Sequence, residues 1–151
     1  MRTVNLLLAN SERTLNQLIE TVVMDACWPQ ATVERVRVAR IEDFVRQGCS
    51  DDFQLIVLVM GNLLPALGQE GPRASFEDAL EAVRKIRHQT EAPIIALSAD
   101  GEHELPLLEA GVDGVIGLPF SREQLGAEVR GVLRLRQQRM EYSAPGRFSM
   151  A

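Results

Sequence analysis

Residues 55–60, LIVLVM, form an unbroken apolar run that decides the fold class. A strand with one solvated face alternates apolar and polar residues. A strand that is apolar on both faces is typical of the centre of a parallel sheet covered by helices. The run is far shorter than the ~20 residues that a membrane-spanning helix needs. It therefore predicts a central, buried β-strand.

Strand-like and helix-like segments alternate on both sides of this run. Further short apolar runs are LLLA at 6–9, PIIAL at 93–97 and VI at 115–116. Apolar and polar residues alternate at the end of residues 32–38, as they do in an edge strand with one solvated face. Helical spacing of apolar residues follows each strand, with the fourth helix short and beginning near Leu105 because of Pro106. Five β-α units predict an α/β protein, a doubly wound five-stranded parallel sheet in a three-layer α/β/α arrangement.

Several polar residues and one glycine predict where helices begin and end. Either Asn10 or Ser11 can cap the first helix, and Ser75 and Ser121 each precede an acid or amide three residues later. Gly111 is the expected left-handed residue after the fourth helix.

Composition excludes several classes of protein. The chain has 151 residues, 46% hydrophobic and 25% charged, with a net charge of −5. These values are ordinary for one globular domain and exclude disorder or a coiled-coil rod. An acidic chain is a poor direct partner for nucleic acid, and no segment suits a membrane. Cys27 and Cys49 fit no zinc or redox spacing, and the first residues lack a signal-peptide pattern, so we expect a cytoplasmic protein.

The periodic pattern predicts one domain over residues 1–137. After roughly Gln138 the apolar periodicity stops, and SAPG at 143–146 follows. Residues 138–151 are therefore expected to be a flexible tail or the start of a linker.

Ligands of open α/β sheets bind beyond the carboxyl ends of the strands. The turn after the first strand has no glycine, and the chain contains neither G-x-G-x-x-G nor a P-loop. Nucleotide binding by these routes is excluded.

Residues 110–120, AGVDGVIGLPF, resemble the motif A-G-A-D-D-Y-L-x-K-P-F. PIIALSA at 93–99 and LLLANSE at 6–12 resemble two further strand ends of the same family. Over about residues 3–137 the chain is similar to the receiver domain of two-component response regulators (CheY-like). The resemblance implies a flavodoxin-like sheet of order 2-1-3-4-5 and a cis bond between Leu118 and Pro119.

The family transfers a phosphoryl group to an aspartate, with Mg²⁺ held by carboxylates and a lysine beside it. This sequence differs from the family at almost every one of the positions that carry this chemistry. Neutral residues replace the acidic pair, the phosphoacceptor and the lysine, and only one hydroxyl and one neighbouring acid remain. The degenerate phosphorylation pocket comprises Asn10, Ser11, Glu12, Val59, Ser98 and Leu118. No catalytic residue, metal or cofactor is predicted.

We therefore expect a phosphorylation-independent pseudo-receiver, not an enzyme, that acts by contacting a protein partner or a second copy of itself. It could serve as the N-terminal control domain of a transcription regulator or another signalling protein. By the resemblance, the partner surface is the face made by helix 4, strand 5 and helix 5. Its candidate residues, whose mixed charges can pair, are Glu102, Glu104, Glu109, Val115, Arg122, Arg130 and Arg134.

Two alternatives stay open. Neutralising the pocket leaves a mildly apolar cleft around Asn10, Val59, Ser98 and Leu118, which suits a small-molecule sensor. An enzyme of the wider flavodoxin-like group is disfavoured because its cofactor motifs are missing. Residues 61–74 are either a free insertion or a loop whose leucines pack over the pocket. His103, among acids, is expected to be exposed.

Overall fold

The computed structural model describes residues 2–50 and 52–142, in which strands and helices alternate as expected. The strands are β1 (Arg2–Ala9), β2 (Ala31–Val38), β3 (Leu55–Val59), β4 (Ile94–Ser98) and β5 (Gly114–Gly117). The helices are α1 (Arg13–Cys27), α2 (Ile41–Gly48), α3 (Phe76–Gln89), α4 (Glu104–Ala110) and α5 (Arg122–Tyr142), with a 3-10 turn at Gly101–His103. None of these helices is both long and apolar enough to cross a bilayer.

The sheet is parallel throughout, in the order β2-β1-β3-β4-β5, which confirms the predicted fold. β3 lies at the centre and each of its residues is buried. β2 is one of the two edge strands, and its middle is exposed on both faces. The unbroken apolar run therefore marks the strand that both helical layers cover.

Two apolar cores lie on opposite faces of the sheet. Along β1, Leu7 and Ala9 face the core beneath α2, α3 and α4, whereas Leu6 and Leu8 face the core beneath α1 and α5. Successive side chains of a strand point to opposite faces, so a continuous apolar run supplies both cores at once.

Helix ends follow the predicted chemistry at three of four positions. The Ser75 hydroxyl accepts a hydrogen bond from the Asp78 amide (3.1 Å), and Ser121 does the same for Gln124 (3.0 Å). Gly111 has φ +118°, and a Cβ there would lie 2.9 Å from Cγ of Arg87. The cap of α1 is predicted wrongly, because Glu12 occupies that position without a side-chain bond.

The carboxyl end of the chain lies partly outside the described residues. α5 continues to Tyr142, past the predicted domain boundary at residue 137. The rest of the predicted tail, residues 143–151, is not among the residues that the structure describes.

Candidate functional site

The six predicted pocket residues all lie at the carboxyl edge of the sheet. Asn10, Ser11 and Glu12 follow β1, Val59 ends β3, Ser98 ends β4 and Leu118 follows β5. The main chains of Ser98 and Leu118 are joined by a hydrogen bond of 2.9 Å. The six residues therefore share one edge of the sheet, as the strand ends predict, and their functional role stays a prediction.

A network of three side-chain amides fills the space between β1, α1 and the turn after β3. The Asn10 amide donates to the Oδ1 of Asn16 (2.8 Å) and to the main-chain oxygen of Glu12 (2.9 Å). The Asn62 amide donates to the Oδ1 of Asn10 (2.9 Å). Asn10 is 1% exposed. Each hydrogen of its NH₂ group and its oxygen therefore has a partner inside the protein.

Ser11 joins the turn after β1 to the loop after β3. Its hydroxyl and its main-chain amide both donate to the main-chain oxygen of Asn62, the latter at 3.2 Å. Asn62 thus holds Asn10 with its side chain and Ser11 with its backbone. These hydrogen bonds hold the start of the loop after β3 against the turn after β1.

Residues 61–74 are an anchored loop, because several hydrogen bonds fasten them to the turn between β2 and α2. The Leu64 amide donates to the oxygen of Ala39 (2.7 Å), and the Ile41 amide donates to the oxygen of Leu64 (3.0 Å). Leu63 is 3% exposed and belongs to the core, whereas Leu67 is 73% exposed. The alternative of a free insertion is therefore wrong for Leu63, which packs in the core, and the alternative of packing over the pocket is wrong for Leu67, which is exposed.

His103 is half-buried and in contact with the site, so the expectation of an exposed side chain is wrong. Its Nδ1 lies 2.9 Å from the Ser98 hydroxyl, and its Nε2 lies 3.5 Å from a carboxylate oxygen of Asp100. The ring stacks on Phe76 with centroids 3.9 Å apart. The 3-10 turn before α4 carries this histidine back over β4, which the run of acids around it did not reveal.

Val59 is buried, and it also borders a cavity at the end of β3. Its side chain is fully buried in the core beneath α1 and α5. A cavity of about 200 Å³ lies beside the end of β3, lined in part by Met60, Gly61, Phe76 and His103. Leu118 is half-buried against the same core as Val59, and its bond to Pro119 is cis, as expected.

Known proteins resemble this chain in sequence over part of its length and in structure over most of it. No family model matches the chain. It is 32% identical over 100 residues to the response regulator ArlR of Staphylococcus aureus, a match that covers 65% of this chain and only 40% of ArlR. The receiver domain of the sensor histidine kinase PA1611 from Pseudomonas aeruginosa has a TM-score of 0.65 at 23% identity, covering 87% of this chain and 98% of that one. NtrX from Brucella abortus has a TM-score of 0.73 at 17% identity, covering 93% of this chain and 30% of that one.

The chain has the receiver-domain fold. Its sequence is related to that of a response regulator, which agrees with the resemblance of its strand-end motifs.

Acidic residues do not gather at the carboxyl edge of the sheet. No group of three or more His, Cys, Asp or Glu able to hold a metal occurs among the described residues. Glu12 is exposed. Asp52 lies at the opposite end of the sheet, where its main-chain oxygen accepts from the Asn5 side chain (3.3 Å).

The acids and arginines of the predicted partner surface form no ion pairs with one another among the described residues, and pairing between two chains stays a prediction. They are exposed, but within the described part of the chain no ion pair joins Glu102, Glu104 or Glu109 to an arginine. α5 packs beside α1, so Arg122 and Arg130 line a groove that also contains Asp25 of α1. Arg130 and Arg134 further line a cavity at the amino end of the sheet.

Two residues of the amide network, Asn16 and Asn62, were not predicted from the sequence as site residues. Asn16 lies on the stripe of α1 that also carries the buried Ile19 and Val23. A polar residue on an apolar stripe was the signal that could have found it, because a buried amide needs partners. Asn62 follows a strand end, but its role depends on the path of the loop after β3.

Proposed function

We propose that this chain is a cytoplasmic receiver-like signalling module that works without phosphorylation and acts by binding a protein partner or a second copy of itself. The observation that carries this proposal is the closed amide network around Asn10. It stands at the position where the family places its acidic residues.

The residues at the carboxyl edge do not fit a magnesium ion. Mg²⁺ prefers near-octahedral coordination by carboxylates, phosphate oxygens and water. Here the oxygens of Asn10 and Asn16 already accept hydrogen bonds from neighbouring amides. An ion would have to displace those bonds, and Glu12, which is exposed, is the only carboxylate among the six pocket residues, so binding is unfavourable.

The same edge lacks the two other groups that phosphorylation needs. An aspartyl phosphate requires a carboxylate nucleophile, but β3 ends in Val59 followed by Met60 and Gly61. Transfer of a phosphoryl group depends on positioning and charge neutralisation. Leu118 at the lysine position supplies no charge.

A surface for a partner is supported by exposed apolar residues on α4. Leu105 is 65% exposed and Leu108 is 42% exposed, one turn apart on the same side of the helix. Glu104 and Glu109 flank them, and Val115 of β5 is half-buried nearby in the fold. Apolar side chains within a polar rim are typical of interaction surfaces.

Sensing of a small molecule in the vacated pocket is less well supported. Asn10, Val59 and Ser98 are buried, and two of them are engaged in side-chain hydrogen bonds. The adjacent cavity of about 200 Å³ is smaller than the roughly 300–1,000 Å³ of ordinary ligand sites.

The test of phosphorylation independence uses beryllofluoride and acetyl phosphate with Mg²⁺. We expect no mass increase with acetyl phosphate and no change in amide chemical shifts with beryllofluoride. An active receiver domain treated in parallel is the positive control. An acid-labile adduct of one phosphoryl group on this chain would overturn the proposal.

The surface is tested by replacing Leu105 with Lys and measuring association by sedimentation across a range of concentrations. Leu67→Lys is the matched control, because Leu67 is equally exposed but lies on the loop after β3. Self-association that Leu105→Lys weakens and the control preserves supports this face. Association that both variants preserve contradicts it.

A further inference from the structure

A second cavity lies at the amino end of the sheet, opposite the amide network. It has a volume of about 430 Å³, and β1, α1, β2, α5 and the segment before β3 contribute to its walls. It exists because β1 and β2 pair from Arg2 onward, whereas β3 joins β1 only at Leu6. The first residues of β1 therefore border open space that α5 covers from one side.

The floor of this cavity is apolar. Val4, Cys27 and Ala31 are almost fully buried, and Ala26 and Leu133 are half-buried around them. Burial raises the pKa of the Cys27 thiol, so it presents a neutral S–H group at neutral pH. A ligand seated here would place its apolar part against these side chains.

The rim of the cavity is cationic. Arg2, Arg130 and Arg134 line it together with Gln30 and Gln54, and no carboxylate is among its lining residues in the described part of the chain. None of these three arginines forms an ion pair within the part of the chain that the structure describes. Asp52, close to Gln54 in sequence, is exposed and does not line the cavity.

Three like charges around one opening repel one another, and an anion between them removes that repulsion. Guanidinium groups bind carboxylates through paired, charge-assisted hydrogen bonds. The chain as a whole has a net charge of −5, so a positive rim is a local feature of this end of the sheet.

We propose that this cavity binds a small organic carboxylate with an apolar body, its anionic group held by Arg130, Arg134 and Arg2 and its body against Val4, Ala31 and Leu133. The volume lies within the roughly 300–1,000 Å³ typical of ligand sites. This site is separate from the carboxyl edge, so the proposal stands whether or not the chain is phosphorylated.

Decanoate is the test ligand, with decanol as the neutral analogue and acetate as the anion without an apolar body. We expect saturable binding of decanoate to the full chain by calorimetry, and binding at least tenfold weaker for each analogue. Added salt should weaken decanoate binding, because the rim arginines are exposed to solvent.

Variants of the rim separate this site from nonspecific binding. Arg134→Gln and Arg130→Gln should each weaken decanoate binding about tenfold, the loss of one charge-assisted contact. Arg13→Gln is the matched control, an exposed arginine at the start of α1 and the other end of the sheet. In amide spectra, decanoate should shift Ala26, Ala31 and Leu133.

Three binding results would overturn the proposal, and one spectroscopic result would do so as well. The binding results are the absence of saturable binding, equal affinity of Arg13→Gln and Arg134→Gln, and equal affinity for decanol and decanoate. Shifts confined to residues at the carboxyl edge would likewise place the ligand elsewhere and contradict it.

Discussion

The polar side chains at the two ends of the sheet differ in whether they bond to one another. At the carboxyl end, Asn10, Asn16 and Asn62 satisfy one another and the site is closed. At the amino end, Arg2, Arg130 and Arg134 surround an open cavity of about 430 Å³. The closed end coincides with the position of the family's chemistry, and the open end does not.

The difference follows from the hydrogen-bonding capacity of the two side chains. An amide carries both donors and an acceptor, so several amides can complete one another without water or an ion. A guanidinium carries donors only and a positive charge, so several of them need an anion from outside the group. Neutral amides can therefore complete one another's hydrogen bonds, whereas clustered arginines cannot.

Replacement of Leu63, the buried leucine of the loop after β3, should have the largest effect on stability. Leu63→Ala removes a side chain that is 3% exposed, and we expect a loss of about 2–5 kcal/mol in the free energy of unfolding. Urea denaturation measures it. Leu67→Ala, at a residue 73% exposed, is the control and should change stability by less than ~0.5 kcal/mol. Equal effects of the two substitutions would show that the loop is not anchored as described.

A charge placed in the amide network should have the next largest effect. Asn10→Asp replaces the NH₂ group that faces the Oδ1 of Asn16 and the oxygen of Glu12 with a third acceptor. Left without donors, these buried groups cost about 1–3 kcal/mol. At roughly 2–4 °C per kcal/mol for a chain of this size, the melting temperature falls measurably.

Calorimetry at several pH values checks this second effect. The deficit should shrink at low pH, where the carboxyl group is protonated and can donate a hydrogen bond again. Gln17→Glu is the control, because it adds the same charge at an exposed position on α1. A stable Asn10→Asp variant whose melting temperature rises with Mg²⁺ would mean that the closed end readily reverts to an ion site.

Removal of a rim arginine at the open end should have the smallest effect on the free protein. Arg134→Gln removes an exposed side chain and one of three like charges, so stability should change by less than ~0.5 kcal/mol. Urea midpoints of the variant and the parent chain measure this. A loss above ~1 kcal/mol would show that Arg134 has a structural partner and that the rim is not poised for a ligand.

The fold was predictable because local patterns agreed with one another. The apolar run at 55–60 marked the central strand, Ser75 and Ser121 marked helix starts, and Gly111 marked a helix end. The edge at which the site lies followed from the ends of the strands. Each of these signals depends only on residues close together in the sequence, so a single sequence is enough to show it.

The composition of the site was only half predictable, because its contacts are between distant segments. Asn10 and Asn62 are 52 positions apart, and the path of the loop decides whether they meet. His103 reaches Ser98 only because the 3-10 turn folds back over β4. Arg122 and Arg130 of α5 line a groove with Asp25 of α1, because α5 packs beside α1, and the sequence did not predict this neighbour.

The loop after β3 is fixed near both its ends and exposed between them. Hydrogen bonds hold Leu64 at one end, and the Ala74 amide donates to the oxygen of Leu63 (2.8 Å) at the other. The exposed tip, residues 67–73, makes few such bonds, and its glycines Gly68 and Gly71 have positive φ. A tag or reporter domain inserted at this tip would be separate from the amide network at the carboxyl edge and from the proposed partner face of α4. The tip is therefore a suitable place for a probe.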